Sequence, residues 1–307
     1  MKTVTVGAAE IRAAVSMAEA IDAVRGGFAD LAAGAFEMPP RTVLGDGRFL
    51  VMAAHHRPTG SAMIKTLSLN FDRRPAIAGT VVWSETGRLG QLVADAAAVT
   101  TLRTGAAVGV ATDLLAPPGA GRLTLIGAGA QAPDQVRAVH TVRPLRRLTV
   151  VDRHPERARA LVEELAPELE GVELATATNA ARAVRDAQII CCATTATRPL
   201  FPEAALPERV HVNAIGAFRP TMRELPDELL ASATVVVDEL DAVLEESGEI
   251  IHALDAGALA KDDLTELGTA LADPPDHRGR TVFKTVGVAV QDWALARLLT
   301  AKFPSDP

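Results

Sequence analysis

Leu123-Thr-Leu-Ile-Gly-Ala-Gly-Ala-Gln-Ala132, followed after a helical stretch by Leu148-Thr-Val-Val-Asp152, decides the fold of this chain. The first segment is an apolar run that fits a buried strand and ends in Gly127-x-Gly129-x-x-Ala132. The second is another apolar run, closed by an acid twenty residues beyond Ala132. Strand, glycine turn, helix start and acid stand at the spacing of a dinucleotide-binding unit. Each residue type has a physical reason. Gly127 permits the tight turn, Gly129 lets the backbone approach a pyrophosphate, and Ala132 is small enough for close packing of helix on strand. The N–H groups at the helix start face the phosphates, and Pro133 costs little in the first turn, where its missing N–H would have no helical partner. Asp152 is placed to accept hydrogen bonds from the adenosine ribose hydroxyls. The bland alternative is a glycine turn in an α/β sheet that binds nothing.

Around this segment, strand and helix patterns alternate: strands at 148–152, 172–176, 188–193, 210–215 and 234–238, helices at 133–141, 155–165, 180–186 and 226–231. Such alternation predicts a parallel sheet with helices on both faces. Upstream, Ala116-Pro-Pro-Gly-Ala-Gly121 reads as a linker. Before it, residues 16–33 predict an amphipathic helix opened by a Ser16/Glu19 capping box, with Ile21, Val24, Phe28 and Leu31 at helical spacing. Strands are expected at 41–44, 48–53, 61–69, 78–84 and 91–94, joined by short turns into a mostly antiparallel sheet, and then an Ala-rich helix at 100–115. The tail from Thr281 to Leu299 is an apolar stretch and a helix, with Val286, Val290, Trp293 and Leu298 expected to face inward and the segment expected to return to the first domain.

The bulk numbers bound the class. A chain of 307 residues suffices for two domains and a sizeable core. A net charge of −7 gives no sign of a nucleic-acid or anionic-membrane surface. The two cysteines, Cys191 and Cys192, are adjacent in an apolar run and read as buried thiols of a reducing compartment. No secretory leader and no membrane-spanning run is read, so a soluble cytoplasmic protein is expected.

Three cations stand out before the linker. Arg41 follows a Pro-Pro pair, Lys65 lies within the apolar strand Ala62-Met-Ile-Lys-Thr-Leu67, and Arg103 opens an Ala-rich helix. A lysine inside an apolar strand is expensive to bury unless something anionic pairs with it. Either the three converge on a substrate carboxylate, or Lys65 snorkels and the arginines lie at the surface. His55 and His56 face opposite ways on a strand and have no third ligand nearby, so no metal site is expected. Asp227, Asp238, Asp241 and the Glu245-Glu246 pair read as solvated helix ends and faces.

With these residues in view, the chain resembles the ornithine cyclodeaminase/mu-crystallin family. The resemblance rests on Met38-Pro-Pro-Arg41, Met63-Ile-Lys65, Ala78-Gly-Thr80, Leu102-Arg-Thr104, Ile126-Gly-Ala-Gly-Ala-Gln131, Asn213-Ala-Ile-Gly216, Glu246-Ser-Gly-Glu249 and Phe283-Lys-Thr-Val-Gly287, over nearly the whole chain. It implies a homodimer with two domains per subunit. One is an α+β dimerisation and substrate domain formed by residues 1–118 and 282–307; the other is a Rossmann domain over residues 119–281. It implies that Arg41, Lys65 and Arg103 surround a substrate carboxylate as the catalytic set. Thr80 is expected near the nicotinamide end of the cofactor, which the loop with Thr285 and Val286 also approaches, and Arg103 is expected among the cofactor contacts. Gly127, Gly129, Ala130 and Gln131 are expected on its pyrophosphate, Asp152 with Arg153 at its ribose, and Thr194, Ala214, Ile215, Gly216, Thr285 and Val286 along its binding surface.

One departure shapes the functional expectation. Ornithine cyclodeaminases carry an aspartate shortly after the Asn-Ala-x-Gly strand, and here Phe218 stands in its place. An aromatic ring cannot hold an ornithine ammonium or relay its proton. The pattern Phe218-Arg-Pro-x-Met-x-Glu-Leu225 looks more like the ketimine reductases of the family. The expected reaction is NAD(P)H-dependent reduction of a cyclic ketimine carboxylate, Δ1-pyrroline-2-carboxylate or Δ1-piperideine-2-carboxylate, to proline or pipecolate. Arg41 and Arg103 would clamp the carboxylate; Lys65 is either the proton donor or a further carboxylate contact. Asp152 favours NAD(H), with NADP(H) the alternative through Arg153 and His154. The other readings are an ornithine cyclodeaminase, an alanine-type dehydrogenase, and a non-catalytic protein that binds a nucleotide or small ligand.

Overall fold

The structure is a computed structural model and describes residues 3–70, 72, 76–87, 90–275 and 279–304. Residues 1–2 and 305–307, the ends of the expected first domain, lie outside the described residues. The chain divides into two units, Met1–Ala107 with Val288–Pro307, and Val108–Gly287.

The first unit contains β1 (Thr3–Val6), α1 (Ala8–Ala14), α2 (Met17–Ala32), β2 (Phe36–Glu37), β3 (Thr42–Leu44), β4 (Phe49–His56), β5 (Ser61–Leu69), β6 (Ile77–Glu85), β7 (Gln91–Asp95) and the start of α3 (Ala96–Leu115). Strands β4 to β7 form an antiparallel meander, β2 and β3 pair antiparallel with β4, and β1 joins β7 in parallel. The period-2 pattern of β5 explains its packing: Ser61, Met63, Lys65, Leu67 and Leu69 are all buried, and the residues between them are not. Helix α2 starts with the expected capping box, Ser16 accepting from the Glu19 N–H while Glu19 accepts from Ser16.

The unit is closed by a helix from the far end of the chain, Ala289–Lys302, which packs on α2, β4, β5 and β6. Its Trp293 sits among the rings of Phe36, His56 and Trp83 and donates to Ser61 Oγ. The inward face of this helix differs in detail from expectation. Leu299 is buried where Leu298 was expected, because the helical register from Val290 and Trp293 runs to 299, and Val286 lies in the loop before the helix.

The second unit is a Rossmann-type α/β fold. It contains β8 (Arg122–Ile126), α4 (Ala132–Val142), β9 (Arg147–Val151), α5 (Pro155–Leu165), β10 (Glu173–Ala177), α6 (Ala180–Ala183), β11 (Ile189–Cys192), β12 (His211–Ala214), α7 (Asp227–Ser232), β13 (Thr234–Val237), α8 (Leu240–Glu246), α9 (Gly248–Asp255), β14 (Leu264–Glu266), α10 (Leu267–Ala272) and β15 (Thr281–Lys284). The closing helix, Ala289–Lys302, is α11. The eight strands are all parallel, in the order β10-β9-β8-β11-β12-β15-β13-β14. Ile126, Ile190, Val212, Val235 and Val282 from five of these strands share one core.

The unit limits differ from the boundaries expected at 118/119 and 281/282. The first falls inside α3, upstream of the Pro-Gly stretch at 116–121, which follows the end of that helix at Leu115. The second falls after β15, which pairs with β12 on one side and β13 on the other and so belongs to the parallel sheet. Cys191 and Cys192 are buried free thiols, and burial pushes both up, Cys191 to about 12.

Candidate functional site

In the second unit the candidate residues gather at the carboxyl ends of the parallel strands. β8 ends at Ile126, and Gly127 turns the chain with φ +102°, a conformation that L side chains rarely adopt. A Cβ on Gly127 would lie 2.5 Å from the Ala193 carbonyl oxygen, so the turn also needs glycine for space. At Gly129, by contrast, a Cβ would meet nothing within 4 Å, so open space lies on that side of the backbone. Ala130 is exposed, Gln131 half-buried and Ala132 fully buried where α4 begins, with Pro133 in its first turn. The Gln131 Oε1 atom and both amide atoms of Gln135 are buried without a hydrogen-bond partner among the described residues. These orphaned groups beside a helix start fit a polar ligand such as a pyrophosphate.

Asp152, at the end of β9, braces this turn. Its Oδ2 accepts from the Ala128 N–H at 2.9 Å and its Oδ1 from the His154 N–H at 2.8 Å. A carboxylate has about four acceptor sites, so each oxygen keeps capacity for a ribose hydroxyl. Arg153, next to it, is exposed.

The ends of β11, β12 and β15 are held by two buried carboxylates that the sequence reading did not single out for this purpose. Glu224 Oε1 accepts from the Thr194 N–H and hydroxyl at 2.7 and 2.8 Å, and Oε2 from the Gly216 N–H at 2.8 Å and the Ala217 N–H at 3.3 Å. Asp238 Oδ2 accepts from the Thr285 hydroxyl and from the Val286 and Gly287 N–H groups at 2.5, 3.0 and 2.8 Å. Asp238 is 1% exposed, which corrects its reading as a solvated helix end. The acid sits between a strand and a helix, as an exposed cap would, but it points inward and serves the loop after β15. Burial pushes its carboxyl above the usual carboxylate range, against the hydrogen bonds that favour its charge. Ala214 and Ile215 are buried between these loops; Thr285 N–H donates to the Ala214 carbonyl and Ile215 N–H to that of Cys192.

In the first unit, Lys65 is fully buried and donates to Asp292 Oδ1 at 2.7 Å. Arg103, 7% exposed, donates through Nη1 to Gln291 Oε1 and brings its Nε within 3.5 Å of the same Asp292 oxygen. Arg103 is therefore not a surface arginine and Lys65 does not snorkel. Asp292 Oδ2 is buried and accepts no hydrogen bond among the described residues. Burial lowers Lys65 to about 8; Asp292 opposes the shift, and the charges of Arg103 and Arg41 reinforce it. Arg41 is half-buried. Thr80, on β6, is exposed, with its hydroxyl 3.3 Å from that of Thr66 on β5. The paired histidines have structural roles: His56 is packed against Phe36 and Trp293 near Asp30, and His55 lies by Glu37.

Asp292 and Gln291 were not anticipated. The available signal is a polar pair between Val290 and Trp293 in the apolar first half of the helix. Lys284 was also passed over, although it stands in the apolar strand Val282-Phe-Lys284 as Lys65 does in its own. It pairs at 2.8 Å with Glu249, and both are fully buried.

A glycine turn, a brace at the next strand and a row of held loops along a parallel sheet define a Rossmann-type α/β protein. A buried cation cluster in a separate sheet unit narrows the class further. The chain belongs to the ornithine cyclodeaminase/mu-crystallin family, whose sequence pattern matches residues 1–306. It is 38% identical over 210 residues to a Δ1-pyrroline-2-carboxylate reductase of Bacillus cereus, covering 66% of this chain and 64% of that protein. The match thus spans just under two thirds of that relative's length. It is 36% identical over 301 residues to an L-lysine cyclodeaminase of Streptomyces rapamycinicus, covering 91% of this chain and 84% of that protein. The fold is similar to that of the Thermococcus litoralis Δ1-pyrroline-2-carboxylate reductase in complex with NADH and L-proline. That likeness has a TM-score of 0.91 and 29% identity, over 97% of each chain. No helix among the described residues is long and apolar enough to cross a membrane.

Proposed function

We propose that this protein is an NAD(P)H-dependent reductase of a cyclic ketimine carboxylate, Δ1-pyrroline-2-carboxylate or Δ1-piperideine-2-carboxylate, and that its product is L-proline or L-pipecolate. The observation that carries the reading is the charge count around Lys65. Two buried cations, Lys65 and Arg103, are set against one carboxylate among the described residues, Asp292, so this buried group carries an excess of positive charge. A substrate carboxylate is the anion that such a cluster accommodates at least cost.

The cofactor, held by the Gly127–Ala132 turn, Asp152 and the loops bearing Thr194, Gly216 and Thr285, supplies a hydride when bound. The remaining work belongs to the chain. Arg41 and Arg103 clamp the carboxylate and fix the orientation of the C=N bond. Lys65 keeps a proton at its Nζ for the imine nitrogen, and its lowered pKa makes that proton easier to give up near neutrality. Phe218 leaves the position of the family's aspartate apolar and stacks against the Arg219 guanidinium. It therefore offers a primary ammonium neither a carboxylate partner nor a proton acceptor. The likeness to reductases supports the same reading. NAD(H) is the preferred cofactor, because Asp152 accepts from ribose hydroxyls and repels a 2′-phosphate.

We also propose a homodimer in the cytoplasm. Val43, Leu44, Phe49 and Ile64 leave apolar side chains about half exposed on the sheet of the first unit, and a second copy would cover them.

The test follows reduced-nicotinamide absorbance with Δ1-pyrroline-2-carboxylate and NADH or NADPH. Rapid oxidation, faster with NADH, is expected. Ammonia release from ornithine or lysine without net cofactor consumption would instead establish the cyclodeaminase reading, which the relative from Streptomyces favours and Phe218 opposes.

A further inference from the structure

Glu224 lies in an irregular segment after β12, yet it is fully buried and all of its acceptor capacity is used. Four donors converge on it from two loops, those that follow β11 and β12. The packing there leaves no slack. A Cβ on Gly216 would lie 2.1 Å from the Thr194 carbonyl oxygen and 2.6 Å from Glu224 Oε1. The segment bearing Glu224 is itself fixed from behind: its N–H donates to Glu249 Oε2 at 2.8 Å and its carbonyl accepts from the Leu200 N–H at 2.9 Å. Lys284 is spent elsewhere, on Glu249 and on the Ala217 carbonyl at 2.5 Å. The direct hydrogen bonds to Glu224 therefore come from backbone and hydroxyl dipoles, and Lys284 acts on its charge only through space.

We propose that Glu224 is a positioning residue for the dinucleotide, whose ionised carboxylate holds the loops after β11 and β12 in the arrangement the cofactor needs, and whose protonation releases them. The inference rests on the reading that these loops bind the cofactor. An ionised carboxylate only accepts, so all four donors are satisfied; a carboxyl group that has taken up a proton becomes a donor and must give up at least one of them. Burial and the neighbouring Glu249 carboxylate push Glu224 up to about 7, while Lys284 and the hydrogen bonds from Thr194 oppose the shift. The titratable groups facing it are Glu249 on α9, Lys284 on β15 and the Cys192 thiol on β11, and the thiol stays protonated throughout.

The experiment measures NADH dissociation constants by nicotinamide fluorescence for the wild type, Glu224→Gln and Glu249→Gln, across the pH range around 7. The wild type is expected to bind more weakly as pH falls through neutrality. Glu224→Gln should bind about tenfold more weakly at high pH, the cost of losing hydrogen bonds to a charged acceptor, and should lose this pH dependence. Glu249→Gln removes the like charge beside Glu224, so its midpoint should move to lower pH while its high-pH affinity stays near that of the wild type. A role confined to fold stability would lower the melting temperature and leave the pH midpoint unmoved. If Glu224→Gln fails to fold, the midpoint shift in Glu249→Gln decides alone. Tight NADH binding with the same pH profile in all three proteins overturns the positioning role and leaves the cofactor reading intact. No binding of NADH or NADPH by the wild type overturns both.

Discussion

Each unit buries an ion cluster at its centre, and the two are opposite in sign and purpose. In the first, Lys65 and Arg103 are set against Asp292, the one carboxylate paired with them among the described residues, and one of its oxygens accepts nothing among those residues. In the second, Glu224 and Glu249 are set against the single ammonium of Lys284, and the excess negative charge is met by N–H and hydroxyl donors from the loops. A buried charge that the protein satisfies with its own backbone organises structure. A buried excess that its own groups leave uncompensated calls for a ligand of the opposite sign. The first cluster is thus read as a receptor and the second as a fastening.

The sharpest way to break this comparison is to make each cluster apolar. Lys65→Met should lower kcat/KM roughly a thousandfold, the size of effect expected from losing a positioned proton donor. It should also lower stability, because Asp292 loses its close partner. Pairing it with Asp292→Leu should restore much of the melting temperature and none of the turnover. Recovery of activity in the double variant would mean that the pair is structural only. Lys284→Met in the other cluster strands two buried carboxylates and should cost about 3–5 kcal/mol of stability, read by chemical denaturation. Glu249→Gln added to it should return a good part of that loss.

A smaller effect concerns pH. Burial lowers Lys65 to about 8, so its ammonium is lost at a pH where an ordinary lysine stays charged. If that proton is needed, kcat/KM should fall as pH rises through about 8, approaching tenfold per pH unit. Binding the substrate carboxylate favours the charged form again, so the descending limb of kcat should lie at higher pH than that of kcat/KM. The smallest expected effect is a control that touches neither cluster's residues. Ser16→Ala removes the cap of α2 and should cost about 1 kcal/mol in denaturation while leaving kcat/KM unchanged.

What could be read from the sequence follows from how local each signal is. The glycine turn between β8 and α4 is legible because Gly127, Gly129 and Ala132 act within one turn of chain and Asp152 follows the next strand. Lys65 was legible as a cation among apolar neighbours. Its partner was not, since Asp292 lies 227 residues away and nothing near Lys65 points to it. Asp238 was misread because a carboxylate between a strand and a helix has the local grammar of an exposed cap, and only the fold shows that the loop after β15 comes to it. α8, α9, α10 and β14 escaped notice because they are short, and short elements take their identity from packing rather than from periodicity. The insertion of β15 between β12 and β13 was equally hidden, since pairing partners so far apart leave no mark in either strand.

That insertion has a consequence for how the molecule is made. β12 and β13 are not direct neighbours; each pairs with β15, which follows both in the chain and so leaves the ribosome after them. Until Thr281–Lys284 has emerged, the sheet exists as two parts with unpaired edges between them. α11, which closes the first unit, emerges later still. Neither unit can finish before β15 and α11 have emerged, so the nascent chain depends on protection of its open strand edges until they arrive.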